Sequence, residues 1–398
     1  MINLFYFLLG LKIILVSLSG VVGTVLPILI IALSLLVVFD YRYISYLKKE
    51  RFILYFIVID FILLLSVMVG QLNDFSLVPS LVDYVKILTF QSLFILGGYT
   101  ACVEKYENRF YNYILILVFI HISSGILSPI LGVGKEVDGI VRYAGLAGKI
   151  NILANFALFF SVFYFVLFKS KKKFVYCVLF LMAAFCVVLT GTMKNLLVLI
   201  VIISFLWIKE SKYKTASLLM LVVVFFPIMF YFILSSSIVD RVDEFVNYGI
   251  NFDVAAGDKV GNSMNWRILH WKFLLTDWYE NYFWFGSGIG HYGQINGIKT
   301  DSNITFDPHN DYIKFMIEYG VIIFLGFLIF LFKLGSKLYE LSMLCEYSKA
   351  LFYSFIASMV AMFAGQLIFS LVFFYFFWPI FGFVLYKNNN YVRKDIRI

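Results

Sequence analysis

Four basic residues stand where their types and surroundings could do chemistry. Arg142 lies in GIVRYAGLAG, Lys194 in LTGTMKNLL, Arg267 in MNWRILHWKFLL and His309 in DPHNDYIKFMIEYG. Arg and Lys can neutralise phosphate through charge-assisted hydrogen bonds that contribute about 1.5–3 kcal/mol each. Histidine can take up a proton near neutral pH. Gly145 and Gly148, close to Arg142, permit a ligand to approach the backbone. At helical spacing Arg267, His270, Trp271, Leu274 and Trp278 share one face. Asp307 and Pro308 suit the start of the helix that follows His309. Together these residues could manage phosphate charge and move one proton.

Each also has a plainer reading. A lone Lys or Arg at a membrane surface often anchors to lipid headgroups, and His309 alone could simply open a helix. His121 lies inside an apolar run and reads as structural. His270 and His291 read as surface or packing residues. The glycines of FGSGIGHYG resemble a phosphate loop only superficially, because no βαβ unit flanks them; tight turns fit them better. No segment offers Asp-x-Asp, and no His, Cys and Asp cluster has metal-ligand spacing. The expectation is no metal and no cofactor.

The elements that must position these groups follow from composition. Of 398 residues, 62% are hydrophobic and only 14% charged. Soluble domains carry about a quarter charged residues, so this chain reads as an all-α polytopic integral membrane protein. Apolar runs fall at about 3–20, 22–40, 52–70, 85–102, 112–130, 151–168, 174–190, 195–208, 215–234, 311–332, 350–367 and 369–386. At about 20 residues per span these make twelve transmembrane helices. The first run has no charged region before it and no small-residue cleavage site after it, and reads as a retained span.

With an inner N-terminus, 20 of the 32 Lys and Arg fall in inner segments, among them Lys48, Lys49, Lys171, Lys172, Lys173 and Lys212. That bias places both termini in the cytoplasm. The net charge of +8 is then explained by inner loops, and nucleic-acid binding is not expected. Cys102, Cys177, Cys186 and Cys345 lie in or beside spans or on the inner side, so no disulfide framework is implied. Residues 1–398 read as a single membrane domain. Residues 235–310 form one large outer loop, rich in Trp, Tyr, Phe and Gly, and a loop that long is functional or disordered. Its aromatic content argues for a folded loop.

The ordered segments resemble the O-antigen ligase and polymerase family of bacterial membrane glycosyltransferases. LTGTMKNLLVLI is similar to that family's Thr/Ser-x-Ser/Thr-Arg-x-x-Leu segment. NWRILHWKFLL with WFGSGIGHYG is similar to its Arg helix and Gly-x-Gly turn. PHNDYIKFMIEYGVIIFLGF is similar to its His-Asn segment with a downstream Glu-x-Gly. The resemblance implies a GT-C-like fold in the bacterial inner membrane. It implies His309 and Arg267 as catalytic residues, with Lys194 and Arg142 binding substrate. Lys194 departs from the family's Arg and lacks its bidentate fork. The family's Pro-Asn after the Arg142 loop is replaced by Lys149, Ile150 and Asn151.

The implied substrate is an undecaprenyl-diphosphate-linked oligosaccharide. The implied activity is polymerisation of such repeat units on the outer face, with ligation of finished glycan to lipid A core as the alternative. A chain-length regulator membrane protein is an expected partner. Glu318, half a helical turn out of phase with His309, is expected to be structural. A polysaccharide flippase is the competing class. It predicts mid-span charges, broken helices and repeat symmetry, and Asp60 is the clearest mid-span charge. The charge bias makes a direct prediction: reporters fused at Lys172 and at Lys259 report opposite sides of the membrane. A common side for both would contradict the twelve-span topology.

Overall fold

The structure, a computed structural model, describes residues 1–15, 21–40, 43–44, 47, 51–103, 107–137, 140–210, 263–299, 305–367, 370 and 373–395. The expected run at 215–234, together with Arg241 and Lys259, lies outside the described residues. Every other expected run overlaps a helix. These helices are α1 (Ile2–Ile14), α2 (Val21–Val38), α3 (Arg51–Leu72), α4 (Leu77–Val103) and α5 (Glu107–Leu127), then α6 (Ile150–Lys171), α7 (Phe174–Leu189) and α8 (Met193–Glu210). After α9 (Ser263–Asn281), which lies in the large loop, come α10 (Asp311–Ser342), α11 (Glu346–Ala361) and α12 (Trp378–Asp395). Among the described residues, α3, α4, α5, α6 and α10 are long and apolar enough to cross a membrane, and α1, α2 and α7 are shorter apolar helices. The architecture is that of a multi-pass helical membrane protein. Among the described residues a small hairpin departs from the helical pattern, β1 (Lys135–Val137) against β2 (Ile140–Arg142), with Lys135 opposite Arg142. The sequence showed only a glycine-rich loop there, because three-residue strands carry no usable alternation.

Helices dominate because lipid offers no partner to backbone N–H and C=O groups. Helix α6 is buried without interruption from Leu153 to Leu167, the mark of a central helix that is apolar all round. It packs against α7 and α11, and Ser354 donates to the Phe159 carbonyl at 3.0 Å. Helices α4 and α12 approach through glycine: a Cβ on Gly97 would overlap the Pro379 carbonyl, and one on Gly382 the Phe94 carbonyl. Some polar residues inside the bundle tie helices together. Gln91 donates to Asp60 at 2.7 Å between α4 and α3, and His121 bonds the Ile13 carbonyl at 2.8 Å, tying α5 to α1.

Several helix boundaries differ from expectation: α4 begins at Leu77, and α10 and α12 run on to Ser342 and Asp395. The run at 350–367 is α-helical to Ala361 and 3-10 helical at Met362–Ala364, and Gly365 is extended. The last α-helix starts at Trp378, after a π-helical turn at Phe373–Phe377.

The feature that joins loop to bundle is a break inside α10. Gly320 has φ 71° and ψ 174°, a conformation almost confined to glycine. The break frees backbone groups, and residues 283–288 of the large loop supply their partners. Ser287 N–H donates to the Ile317 carbonyl and Gly288 N–H to the Glu318 carbonyl, both at 3.0 Å, while Val321 N–H donates to the Phe283 carbonyl at 2.9 Å. The glycine turn itself is wedged against α3 and α4. Gly286, Gly288 and Gly290 all have positive φ, so the glycines form tight turns as expected. Ile289 N–H donates to Ser66 Oγ at 2.9 Å, Ser80 Oγ donates to the Ile289 carbonyl at 2.8 Å, and His291 Nε2 lies 2.8 Å from Ser80 Oγ.

This junction generates a paired prediction. Gly320→Ala should lower thermal stability in detergent by at least about 1–3 kcal/mol from the backbone alone, and more because a Cβ there would overlap the Trp284 carbonyl. Gly326→Ala, further along α10 with nothing within 4 Å of the new Cβ, should be neutral or stabilising by up to about 1 kcal/mol. Equal effects of the two substitutions would contradict a break at Gly320.

Candidate functional site

Lys194 is placed by a turn between α7 and α8. Gly191 takes φ 59°, Thr190 and Thr192 hydroxyls meet at 2.9 Å, and Asn195 N–H donates to the Thr192 carbonyl at 3.1 Å. Lys194 thus sits in the first turn of α8, before the apolar run at 195–208. The same turn receives Arg142 from the end of β2: a Cβ at Gly191 would lie 3.5 Å from Arg142 Nε. The Lys194 ammonium lies over Gly365 so closely that a Cβ there would overlap Nζ. That segment is itself clamped. Asn155 donates to the Gln366 carbonyl at 3.0 Å, Asn195 donates to Asn155 Oδ1 at 2.9 Å, and Leu367 N–H donates to Asp311 Oδ2 at 2.5 Å. Gly365 to Leu367 therefore link α6, α8 and the start of α10 beneath Lys194.

Arg267 comes from the first turns of α9. His270, Leu274 and Trp278, which share its face by spacing, are buried. His270 is fully buried and is a staple. Ile298 N–H donates to its Nδ1 at 3.1 Å, so Nε2 carries the proton and donates to the Phe306 carbonyl at 3.0 Å. Burial pushes its pKa down to about 4, which keeps the ring neutral. Trp271 Nε1–H donates to the Pro308 carbonyl at 2.6 Å. These bonds hold residues 306–308 against α9 and so bring His309 to Arg267. Of the two plain readings for His270 and His291, packing holds and surface does not: both are fully buried. Sequence could not show this, because the loop that buries them folds back from elsewhere in the chain.

His309 is not in the helix it precedes. Its φ of 51° is left-handed, and its N–H donates to Asp307 Oδ1 at 2.9 Å. The helix starts three residues later than Asp307 and Pro308 suggested. Asn310 is the cap, its Oδ1 accepting from Tyr312 and Ile313 N–H at 3.0 and 3.2 Å, and Asp311 opens the first turn. The preference for Asn at helix caps could have shown this from sequence.

Lys194, Arg267 and His309 are brought into one electrostatic neighbourhood. Burial, then the Arg267 charge, lower the Lys194 pKa to about 8, while Asp311 opposes the shift. Burial also lowers the His309 pKa. Asp307 opposes that shift, and Arg267 and Lys194 add to it. His309 is therefore neutral at pH 7 and able to accept a proton, while Lys194 and Arg267 are positive. Arg142 touches the Lys194 turn. Two residues important here escaped the sequence reading: Asp307, taken only as a helix opener, and Asp311, which links the cations to the 365–367 clamp. Glu318 lies in a separate buried group, with Lys314 and Asp83 as its charged neighbours and Tyr292 close by. Among the described residues no three His, Cys, Asp or Glu side chains form a metal-holding group.

The electrostatics predict a bell-shaped dependence of kcat/KM on pH if His309 must be neutral and Lys194 charged. Asp307→Asn keeps an acceptor for the His309 N–H but removes the charge that raises the imidazole pKa. Its acid limb should move to lower pH. Lys194→Arg should abolish an alkaline limb near pH 8. An unmoved acid limb in Asp307→Asn would separate Asp307 from His309.

No curated protein matches the chain. One family model does, over residues 177–331, and its description is O-antigen ligase. The matched stretch contains Lys194, Arg267 and His309 and ends inside α10 beyond the Gly320 break; Arg142 lies outside it. The turn at Lys194, the helix at Arg267, the glycine wedge and the capped start of α10 therefore all fall within the stretch that is similar to the O-antigen ligase family model.

Proposed function

We propose that this protein transfers glycan from a polyprenyl-diphosphate-linked oligosaccharide to a saccharide hydroxyl, and that its role is polymerisation of lipid-linked repeat units at the outer face of the inner membrane. The observation that carries the reading is the placement of two cations beside a neutral histidine, inside a domain matched as O-antigen ligase. In the step, the acceptor oxygen bonds to the anomeric carbon of the donor sugar. The bond from that carbon to the diphosphate oxygen breaks, and its electron pair leaves with the lipid diphosphate. His309 takes the hydroxyl proton. Arg267 and Lys194 stabilise the charge that grows on the diphosphate. Arg142, packed on the Lys194 turn, extends the positive surface toward the same group. The leaving group is already a good one, so the reaction is proposed to need no metal.

Ligation to lipid A core uses the same chemistry and differs only in acceptor. The two are separated by a deletion strain. Loss of a polymerase leaves single repeats on the core, whereas loss of a ligase leaves long glycan on the carrier. A flippase would show one feature seen here, a broken helix. In this chain the freed backbone groups are capped by the large loop, and Asp60 is hydrogen-bonded to Gln91 within the bundle.

The transfer reading predicts a specific mutational pattern. His309→Ala should lower turnover roughly 10²–10⁴-fold and Arg267→Ala roughly 10²–10³-fold. The double variant should be little worse than either single one, because groups that serve one transition state are not additive. Lys194→Arg should keep more activity than Lys194→Ala. Full-length polymer made by His309→Ala at parental protein levels would exclude the imidazole from the proton transfer.

A further inference from the structure

One wall of the site is aromatic and takes no part in the charge chemistry. Trp266 directly precedes Arg267 in α9. Its ring lies 4.9 Å from the His270 ring at an interplanar angle of 22°, and 5.5 Å from the Phe306 ring at 85°. It is also 6.0 Å from the His309 ring at 55°. Trp266 is half-buried, and Phe306 remains 39% exposed. Two segments far apart in sequence thus place an indole and a phenyl ring beside the imidazole.

The wall is rigid before any ligand arrives. His270, stacked on Trp266, is held by hydrogen bonds at both ring nitrogens, and one of these bonds is to the carbonyl of Phe306 itself. An aromatic surface fixed in this way loses little conformational entropy when a ligand settles on it. Its chemistry suits a sugar ring: the C–H face of a pyranose is apolar, and its hydroxyls project from the rim. The donor diphosphate belongs with Lys194 and Arg267, whereas His309 serves the acceptor hydroxyl. The sugar bearing that hydroxyl must lie within one ring's width of the imidazole, which is where Trp266 stands.

We propose that Trp266 and Phe306 form the stacking wall of the acceptor-saccharide subsite, holding the acceptor ring so that its hydroxyl meets His309. The proposal rests on the transfer reading but applies equally to polymerisation and ligation. It also makes Trp266 a binding residue, where packing of α9 against residues 306–309 would be the simpler role.

The test uses the full-length protein in detergent with lipid-diphosphate-linked repeat units as donor. The acceptor is an alkyl glycoside of the repeat or of the core oligosaccharide, whichever the parent uses; lacking a diphosphate, it can act only as acceptor. Trp266→Ala should raise the acceptor KM roughly tenfold, with kcat and the donor KM near the parent's. Trp266→Phe should recover most of the loss, and Phe306→Ala should raise the acceptor KM by a smaller factor. An unchanged acceptor KM in Trp266→Ala would overturn the proposal. So would a parallel loss in kcat and both KM values that Trp266→Phe does not repair, since that is the signature of packing. If the parent releases no lipid diphosphate with any acceptor, the transfer reading fails and the acceptor wall fails with it.

Discussion

The arrangement depends on backbone groups that a helix break leaves without intrahelical partners. At Gly320 the α10 ladder stops, and carbonyls at Ile317 and Glu318 need donors that lipid cannot give. The large loop provides them through Ser287 and Gly288 and receives Val321 N–H in return. This exchange fixes the glycine turn on α10, and Ser66 and Ser80 fix the same turn on α3 and α4. From there the loop's path back to α10 is settled by His270 and Trp271. His309 takes its left-handed conformation at the end of that path. A loop held at its middle and at its return can present Arg267 and His309 to a bundle residue, Lys194, with little freedom left.

The second requirement is charge management. Three groups that favour positive charge are gathered where water is scarce, so mutual repulsion and burial both act against their protonation. The outcome differs by residue. Arg267 stays charged because guanidinium cannot be deprotonated in proteins. Lys194 is brought near its titration range, and His309 is left neutral. Asp307 and Asp311 moderate this, Asp307 by raising the His309 pKa and Asp311 by raising that of Lys194. The resulting site has positive charge for an anionic leaving group and an unprotonated imidazole nitrogen for a proton, and both come from the same crowding.

Parts of this were legible in sequence for identifiable reasons. Apolar runs fix helices wherever lipid is the solvent, so the α3, α4, α5, α6 and α10 segments could be read directly. Arg267, His309 and Lys194 stood out because basic residues on the expected outer side run against the charge bias. Local rules would also have given the Asn310 cap. The break at Gly320 was not legible, because a glycine in an apolar run is equally compatible with an unbroken helix. Its conformation is decided by Trp284 and Ser287, more than thirty residues earlier. The same non-local cause hid His270 as a staple, the Gly365–Leu367 clamp under Lys194 and the Trp266 wall. Each depends on contacts between segments whose pairing no period or motif encodes.

The proposed function requires that the chain by itself join a lipid-diphosphate-linked glycan to a saccharide hydroxyl. The most direct measurement supplies purified protein with one radiolabelled lipid-diphosphate repeat unit, excess chelator and no other protein. The products to follow are free lipid diphosphate and the glycan still attached to lipid. One lipid diphosphate should be released for each repeat unit added to a lengthening lipid-linked chain. Release accompanied only by free reducing sugar, or no release at all, would contradict it.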